Sequence, residues 1–254
     1  MLARNVMAAA IASLVLLFGA PKDALACHKG DPHGSATSCD VGGGDTLGAL
    51  DCADGDVARL DPEGSGEWQC LSLRELKLAL RAISYTVFLT SDGYSGDLVS
   101  EATALGFGGG TGLQAGDFIC NIHAQSASLD GSYVAWLSDS ITDAKDRLPI
   151  GSEPFVKVNG DLVALDIFDL LDGLLLVSPI DLDENDVFFS VPVWTGTFED
   201  GFASSEHCDN WTHPGVDGSG INGLFGLSSA LSGTWTDTSP IVCGALNHLY
   251  CFRE

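Results

Sequence analysis

Four cysteines in the C-terminal two thirds of the chain, Cys120, Cys208, Cys243 and Cys251, constrain the fold most strongly. The chain has eight cysteines, an even number, and all of them lie beyond residue 26. In an exported protein such a set favours disulfides over metal sites. Four cysteines permit three pairings, so the residues alone leave the connectivity open.

The first 26 residues have the pattern of a secretory signal peptide. Arg4 precedes an apolar stretch from Met7 to Ala20, and Ala24-Leu25-Ala26 is a small-residue cleavage site. A transmembrane anchor needs about 20 apolar residues, and Pro21 ends this stretch earlier. We therefore expect export, and a mature protein that is secreted or held at the cell surface. Cleavage after Ala26 makes Cys27 the first residue, so a lipid anchor on Cys27 is an alternative.

The chain is strongly acidic, with 11 Lys and Arg residues, 35 Asp and Glu residues and a formal net charge of −24 at pH 7. Nucleic acids, heparin-like polymers and anionic lipids need a positive face, so these classes of partner are not expected. Solubility is the interpretation of the charge that we favour. Calcium binding is the alternative, because clustered carboxylates suit that ion. No transmembrane span is expected, since Asp166, Asp169 and Asp172 interrupt the apolar stretch 162–180.

Residues 27–84 are predicted to form a Cys-rich leader, separate from a main domain at 85–254. A Gly-, Asp- and Ser-rich segment opens the leader, and a Cys27–Cys39 bridge would tie it. Two short strands around the Pro62–Gly66 turn predict a hairpin, with a Cys52–Cys70 bridge closing its open end.

A linker helix is predicted over residues 72–84. Ser72 and Glu75 have the spacing of a capping box, and leucine and isoleucine residues follow at a/d-type positions. Packing against the main domain is the interpretation that we favour. A short oligomerising stalk is the alternative, although sustained coiled coils need three or more heptads. The oligomeric state is left open.

The main domain is predicted to be α+β, because many short strands alternate with Gly-rich loops and helical segments. The pattern predicts strands over Tyr85–Thr90 and Tyr133–Ser138. Ala115, Phe118, Ile119 and Ile122 form the apolar face of a helix that carries Cys120. Asn159-Gly160 predicts a hairpin over 156–163 with a type I′ turn. Residues 212–239 are interpreted as a long Gly/Ser-rich loop.

Several stretches of the main domain resemble endostatin and the C-type lectins. They are Asp117-Phe118-Ile119-Cys120, residues 154–163 leading to Leu170-Leu171-Asp172-Gly173, Val193-Trp194-Thr195-Gly196 leading to Gly201, Cys208-Asp209-Asn210-Trp211, and the seven residues between Cys243 and Cys251. The resemblance covers residues 85–254 and is closest to endostatin-like or C-type-lectin-like domains of secreted bacterial proteins.

This resemblance implies a C-type-lectin/endostatin-like fold with two nested disulfides, Cys120–Cys251 outside and Cys208–Cys243 inside. The residues support that pairing, because a final strand over Leu246–Phe252 can lie beside the first strand and under the Cys120 helix. The resemblance also implies an adhesion-type module that binds an extracellular glycan or protein.

The chain departs from both families at their ligand sites. Endostatin's zinc histidines and heparin-binding arginines have no counterparts between residues 85 and 118 or in this acidic surface. C-type lectins ligate calcium through a Trp-Asn-Asp element, and Trp235-Thr236-Asp237 takes that position here. Their Glu-Pro-Asn partner motif is replaced at Glu153-Pro154-Phe155. Asp237 is therefore the weak metal candidate that remains from this resemblance.

Two further clusters are weak metal candidates. Asp181, Asp183 and Asp186 begin like an EF-hand loop, but position six lacks Gly and Pro192 stands where the bidentate Glu belongs. We interpret this stretch as a solvated acidic loop. Glu206, His207 and His213 lie close in sequence, although zinc sites usually have tighter ligand spacing.

No catalytic motif accompanies these features, since the chain has neither Gly-x-Ser-x-Gly nor His-Glu-x-x-His. No cofactor and no catalytic residue are assigned from the sequence. We therefore expect an exported, non-catalytic binding module. A structural surface or stalk-head protein without small-ligand binding is the alternative, and a hydrolase is the reading that the sequence favours least.

Overall fold

A computed structural model describes residues 57–60, 68–72, 84–173, 176–215 and 220–254. Its contacts divide the chain into two units, Met1–Ile83 and Ser84–Glu254. The proposed signal peptide, the Cys27–Cys39 bridge and the linker helix after Ser72 lie outside the described residues. Among the described residues, no helix has the length and apolar character needed to cross a membrane.

The first unit contains a β-hairpin. Strand β1 (Val57–Leu60) pairs antiparallel with β2 (Trp68–Leu71), with Val57 opposite Leu71 and Leu60 opposite Trp68. Cys70 on β2 is disulfide-bonded, while its proposed partner Cys52 lies outside the described residues.

The second unit mixes helices and strands, as the sequence predicted. Its strands are β3 (Tyr85–Leu89), β4 (Tyr133–Ala135), β5 (Phe155–Lys157), β6 (Leu162–Ala164), β7 (Pro192–Trp194), β8 (Asn222–Leu227), β9 (Ser239–Val242) and β10 (His248–Arg253). Its right-handed helices are α1 (Leu98–Ala104), α2 (Gly112–Ser126) and α3 (Ile167–Leu170), with single 3₁₀ turns at Ala144–Arg147 and Gly233–Trp235. A fourth helical segment, Cys208–Trp211, is described with the candidate site.

These strands form one eight-stranded sheet in the order β6-β5-β3-β10-β7-β8-β9, with β4 also pairing with β10. The first strand of the unit, β3, and the last, β10, are antiparallel neighbours. On its other edge, β10 pairs antiparallel with β4 and parallel with β7. Three strands, β3, β4 and β7, therefore border the last strand of the unit.

Side chains that alternate along the central strands bury both faces of the sheet. On one face Phe88, Ala135 and Cys251 pack with α1 and α2. On the other face Val87, Trp136 and Tyr250 join a second cluster that includes Trp235. Since successive residues of a strand point to opposite faces, the near-continuous apolar sequence of β10 is explained by burial on both sides.

Two disulfides link these elements. Cys120 on α2 joins Cys251 on β10, and Cys208 joins Cys243 directly after β9. These are the two pairs that the resemblance implied. The outer bridge attaches the longest described helix to the central strand, and the inner bridge attaches an excursion of the chain to the end of an edge strand.

The turn of the 155–164 hairpin differs from the prediction. A type I′ turn needs positive φ at both central residues, whereas only Gly160 has it, at 87°. Gly160 N donates to Lys157 O, and Lys157 N donates to Asp161 O. The strands still pair as predicted, but Asn159 keeps a negative φ and Gly160 alone takes the left-handed conformation.

The interpretation of residues 212–239 as a loop was wrong, because they contain the six-residue strand β8. The glycines of this segment suggested a loop, but they are required because atoms of neighbouring residues pack closely against the strand. A Cβ at Gly226 would overlap Trp235 O, and one at Gly223 would lie 2.7 Å from Cys208 Sγ. Trp235 in the same segment is buried against Trp136, with ring centroids 5.2 Å apart.

Replacing Cys120 and Cys251 together by Ala should lower the free energy of unfolding by about 3–5 kcal/mol, because the bridge closes a long loop. Guanidinium denaturation followed by tryptophan fluorescence measures this loss. Peptide mapping without reduction should recover Cys120–Cys251 and Cys208–Cys243 peptides. A dominant Cys120–Cys208 peptide would contradict the described connectivity.

Candidate functional site

Residues Cys208–Trp211 form a left-handed helical turn, which is the most unusual backbone feature among the described residues. The four consecutive residues have φ values of 49°, 50°, 58° and 63°. Trp211 N donates to His207 O, and Thr212 N donates to Cys208 O, which is the i to i−4 pattern of an α-helix with the opposite hand. Non-glycine residues lose roughly 1–2 kcal/mol each in this conformation.

Side-chain contacts hold the left-handed turn in place. The inner disulfide anchors Cys208, and His207 Nδ1 accepts from Asn210 N at 2.9 Å. The indole of Trp211 is fully buried, and its Nε1 donates to Ser138 O at 2.8 Å. It packs on Trp194, with ring centroids 5.9 Å apart. Both ends of the turn are therefore attached to the core.

Four glycines surround the left-handed turn where a side chain would collide with it. A Cβ at Gly96 would meet Cys208 Sγ, and a Cβ at Gly112 would meet Asn210 O. At Gly196 it would lie 2.7 Å from Trp211 Cζ2, and at Gly223 the same distance from Cys208 Sγ. These glycines come from the loop before α1, the first residue of α2, the segment after β7 and β8. Four separate parts of the fold thus form one socket.

The loop 138–142 joins the left-handed turn to make a two-loop platform, defined as residues 138–142 and 208–211. Ser140 N donates to Asn210 Oδ1 at 2.9 Å. Asp139, which is buried, accepts from the backbone N–H groups of Ile141 and Thr142 at 3.0 and 2.8 Å. Both loops are therefore held by hydrogen bonds to their own backbone and to each other.

The outer surface of the two-loop platform combines apolar and acidic groups. Ile141, in the loop 138–142, is 90% exposed. Asp209, in the left-handed turn, is also exposed. An isoleucine that a rigid turn presents to solvent loses little further entropy when a partner covers it. This arrangement is suited to binding a macromolecular surface.

A second polar cluster is buried around His123 on α2. His123 Nε2 lies 2.7 Å from Tyr94 Oη, and His123 Nδ1 lies 2.9 Å from Glu184 Oε1. Ser91 donates to Glu184 through both its hydroxyl and its backbone N–H, at 2.5 and 3.0 Å. An ionised carboxylate only accepts, so we assign a proton to His123 Nδ1, while Nε2 shares a hydrogen bond with the Tyr94 hydroxyl.

The hydrogen bonds of Ser91 and His123 both run to Glu184 and not from the serine to the histidine as in a nucleophile and base pair. The Ser91 hydroxyl donates a hydrogen bond to Glu184, and the His123 nitrogen nearest to Ser91 donates to the same carboxylate. The cluster holds Tyr94, whose main-chain oxygen accepts from Trp194 Nε1 at 2.8 Å. Trp194 in turn packs on Trp211 of the left-handed turn.

The pKa values follow from the burial of this cluster. Burial raises the pKa of Glu184, but hydrogen bonds from His123 and Ser91 outweigh that effect and hold the pKa below its ordinary value. Burial raises the pKa of Tyr94, and the charges of Asp92, Glu184 and Glu101 raise it further. Glu184 therefore stays ionised and Tyr94 stays neutral at physiological pH.

The structure places the residues of the EF-hand-like stretch in a tight turn. Asp181 Oδ1 accepts from Lys157 Nζ at 2.9 Å, and Asp183 Oδ1 accepts from the backbone N–H groups of Asn185 and Val187, both at 2.8 Å. Asp186 is exposed at φ 66°. The solvated-loop interpretation was wrong, because Asp181, Asp183 and Glu184 are buried and engaged in hydrogen bonds within the protein.

Asp237 interacts electrostatically with two other carboxylates, those of Glu199 and Asp200. Burial raises its pKa, and the charges of Glu199 and Asp200 raise it further. In the part of the chain that the structure describes, no three His, Cys, Asp or Glu side chains are arranged to hold a metal ion. Within these residues, Asp237 therefore does not form such a set with Asp181, Asp183 and Asp186.

Both histidines of the remaining candidate group accept backbone hydrogen bonds. His207 caps the left-handed turn, and His213 Nδ1 accepts from Gly215 N at 2.9 Å. Glu206 N donates to Ser204 Oγ, and Glu206 O accepts from Leu224 N. These three residues do not converge with a further ligand within the described residues.

Sequence reasoning named Cys208-Asp209-Asn210-Trp211 as a motif but missed its conformation. A signal was present, since Asp and Asn enter the left-handed region more readily than other non-glycine residues. Ile141 carried no such signal, because a single apolar residue in a polar loop is common.

No protein-family model matches this chain, and none of the curated proteins searched matches it. The assignment of function therefore depends on the geometry of the described residues.

Replacing Gly112 by Ala should lower the free energy of unfolding by several kcal/mol, because the new Cβ would overlap Asn210 O and approach Trp211 Cβ at 2.5 Å. Chemical denaturation measures the loss. Gly108→Ala is the matched control, since no atom lies within 4 Å of a Cβ there, and it should be neutral or slightly stabilising. Equal stability of the two variants would contradict the socket.

Acidification should destabilise the protein partly through Glu184. Its folded-state pKa is depressed, so its contribution is present above the ordinary value of 4.5 and is lost as the pH falls through the folded-state value. The Glu184→Gln variant should therefore lose stability less steeply below about pH 4.5 in denaturation curves recorded at several pH values. Glu153→Gln, which changes an exposed carboxylate, should follow the wild type. Parallel curves for wild type and Glu184→Gln would contradict this assignment.

Proposed function

We propose that the chain is an exported, non-catalytic binding module that holds an extracellular partner on the two-loop platform. The observation that carries this proposal is the left-handed turn of four consecutive non-glycine residues. Such strain persists only when the surrounding structure imposes it, and it concentrates at ligand clamps and active sites. Here a disulfide, two buried indoles and a socket of glycines maintain it beneath an exposed surface.

Binding is favoured over catalysis because of how the polar groups are used. The carboxylate of Glu184 and the ring of His123 hold each other inside the core, and His207 and His213 accept from backbone N–H groups. A general base needs a free nitrogen or oxygen within reach of a substrate proton. A rigid surface with an exposed apolar tip suits recognition of a partner instead.

We infer in addition that residues 85–254 adopt an endostatin-like or C-type-lectin-like fold. The antiparallel pairing of the first strand with the last strand supports this, as does the outer bridge between α2 and β10. The inner bridge lies inside the span of the outer one. Two disulfides are consistent with an oxidising compartment outside the cytoplasm, and the proposal of export depends on the first 26 residues.

A comparison of two isoleucine variants tests the binding surface. Ile141→Ser should reduce recovery of a cell-surface partner in a pull-down by about tenfold, because a covered aliphatic side chain contributes about 1.5–3 kcal/mol. Ile150→Ser is the matched control, since Ile150 is 82% exposed and lies outside the two-loop platform. It should bind like the wild type.

Each result of this experiment is informative. Equal recovery by both variants would remove the platform from the proposal. Recovery of nothing by the wild type would favour a structural surface protein. Repeating the pull-down with a calcium chelator tests for a lectin-like mode of binding. Binding that is lost when calcium is removed would require a cation site in addition to the platform.

A further inference from the structure

The basic side chains of the main domain are mostly neutralised within the protein. Beyond residue 84 the chain has four of them, Lys145, Arg147, Lys157 and Arg253. Lys157 is buried in its ion pair with Asp181. Arg147 Nη2 donates to Asp117 Oδ1 at 2.5 Å, and its Nη1 donates to Ala135 O at 2.6 Å.

Lys145 follows the platform loop and is also engaged. Its Nζ lies 4.0 Å from Asp143 Oδ2 and 3.4 Å from the centroid of the Phe202 ring. Lys145, Arg147 and Lys157 are therefore all paired with carboxylates of the main domain. The positive charge that borders the two-loop platform is offset inside the protein.

The negative charge of the platform has no such partner among the described contacts. Asp209 is exposed in the left-handed turn, and Glu206 is half-buried just before it. His207 Nδ1 accepts from Asn210 N. Ile141 directly follows Ser140, and Asp209 directly precedes Asn210, and these two residues are joined by the hydrogen bond from Ser140 N to Asn210 Oδ1. The exposed isoleucine and the exposed carboxylate therefore belong to adjoining loops of a chain whose formal net charge is −24.

We propose, on the basis of the proposed function, that the partner of the two-loop platform is a protein surface rich in Lys or Arg around an apolar recess. The recess covers Ile141, and the basic rim lies against Asp209 and Glu206. Complementary charge guides the encounter and excludes acidic partners, while the covered aliphatic side chain supplies most of the affinity. Binding therefore weakens as salt screens the rim.

Defined peptides test this inference on the full mature protein. One set places lysines on both sides of a leucine, and a matched set replaces the lysines by glutamates. The wild type should bind the basic set and not the acidic one, with affinity that falls as salt increases. Ile141→Ser should weaken binding of the basic set by about tenfold, and Asp209→Asn by about two- to fivefold at low salt.

Asp186→Asn is the matched control for Asp209→Asn. Both aspartates are exposed at positive φ, at 66° and 50°, and asparagine tolerates that conformation, so each variant removes one charge without a change of backbone. Asp186→Asn should leave binding unchanged. An equal loss in both variants would show diffuse attraction to an acidic protein and would overturn the proposed rim.

The remaining outcomes also decide the proposal. Failure of the wild type to bind any basic peptide would overturn it. Binding that depends on Ile141 but neither on salt nor on Asp209 would overturn the basic partner and retain the platform of the proposed function. Loss of the platform itself would appear in the pull-down, where Ile141→Ser and the Ile150→Ser control would behave alike.

Discussion

The left-handed turn at Cys208–Trp211 places an energetic demand on the whole main domain. Its backbone conformation is unfavourable for each of its four residues, so it exists only because other interactions favour it. The inner disulfide, the buried Trp211 indole and the cap from His207 provide them. The surrounding glycines make room, since side chains at their positions would overlap the turn. The conformation of this one turn therefore depends on residues from several distant parts of the chain.

The buried cluster around His123 extends that dependence through the core. His123 and Glu184 hold Tyr94, the main chain of Tyr94 holds the Trp194 indole, and Trp194 packs on Trp211. A buried polar network that is fully satisfied makes a core more rigid, whereas a partly satisfied one is costly. The left-handed turn of the platform is therefore connected to the buried cluster by a continuous set of contacts.

Several features followed from local patterns. The apolar face around Ile119 predicted the helix that carries Cys120. The β-branched and aromatic content of residues 85–90 predicted β3, and Asn159-Gly160 predicted the hairpin over 156–163. The two disulfide pairs followed from a resemblance and not from spacing. Local patterns failed at β8. Its glycines indicated a loop, but they are required because Trp235 and the inner disulfide pack closely against the strand. They failed again at Asp181 and Asp183, whose acidity indicated solvent although both side chains are satisfied in the interior.

The sequence by itself determined the mixed helix and strand content, the acidic surface and the presence of cysteines suited to disulfides, because each depends on composition or on short-range periodicity. Only the tertiary structure decided the hand of the Cys208–Trp211 turn, the junction of Ser140 with Asn210 and the exposure of Ile141. These properties arise where segments far apart in the chain meet. The energy that maintains a strained backbone comes from contacts with those distant segments, so no local stretch of sequence contains it.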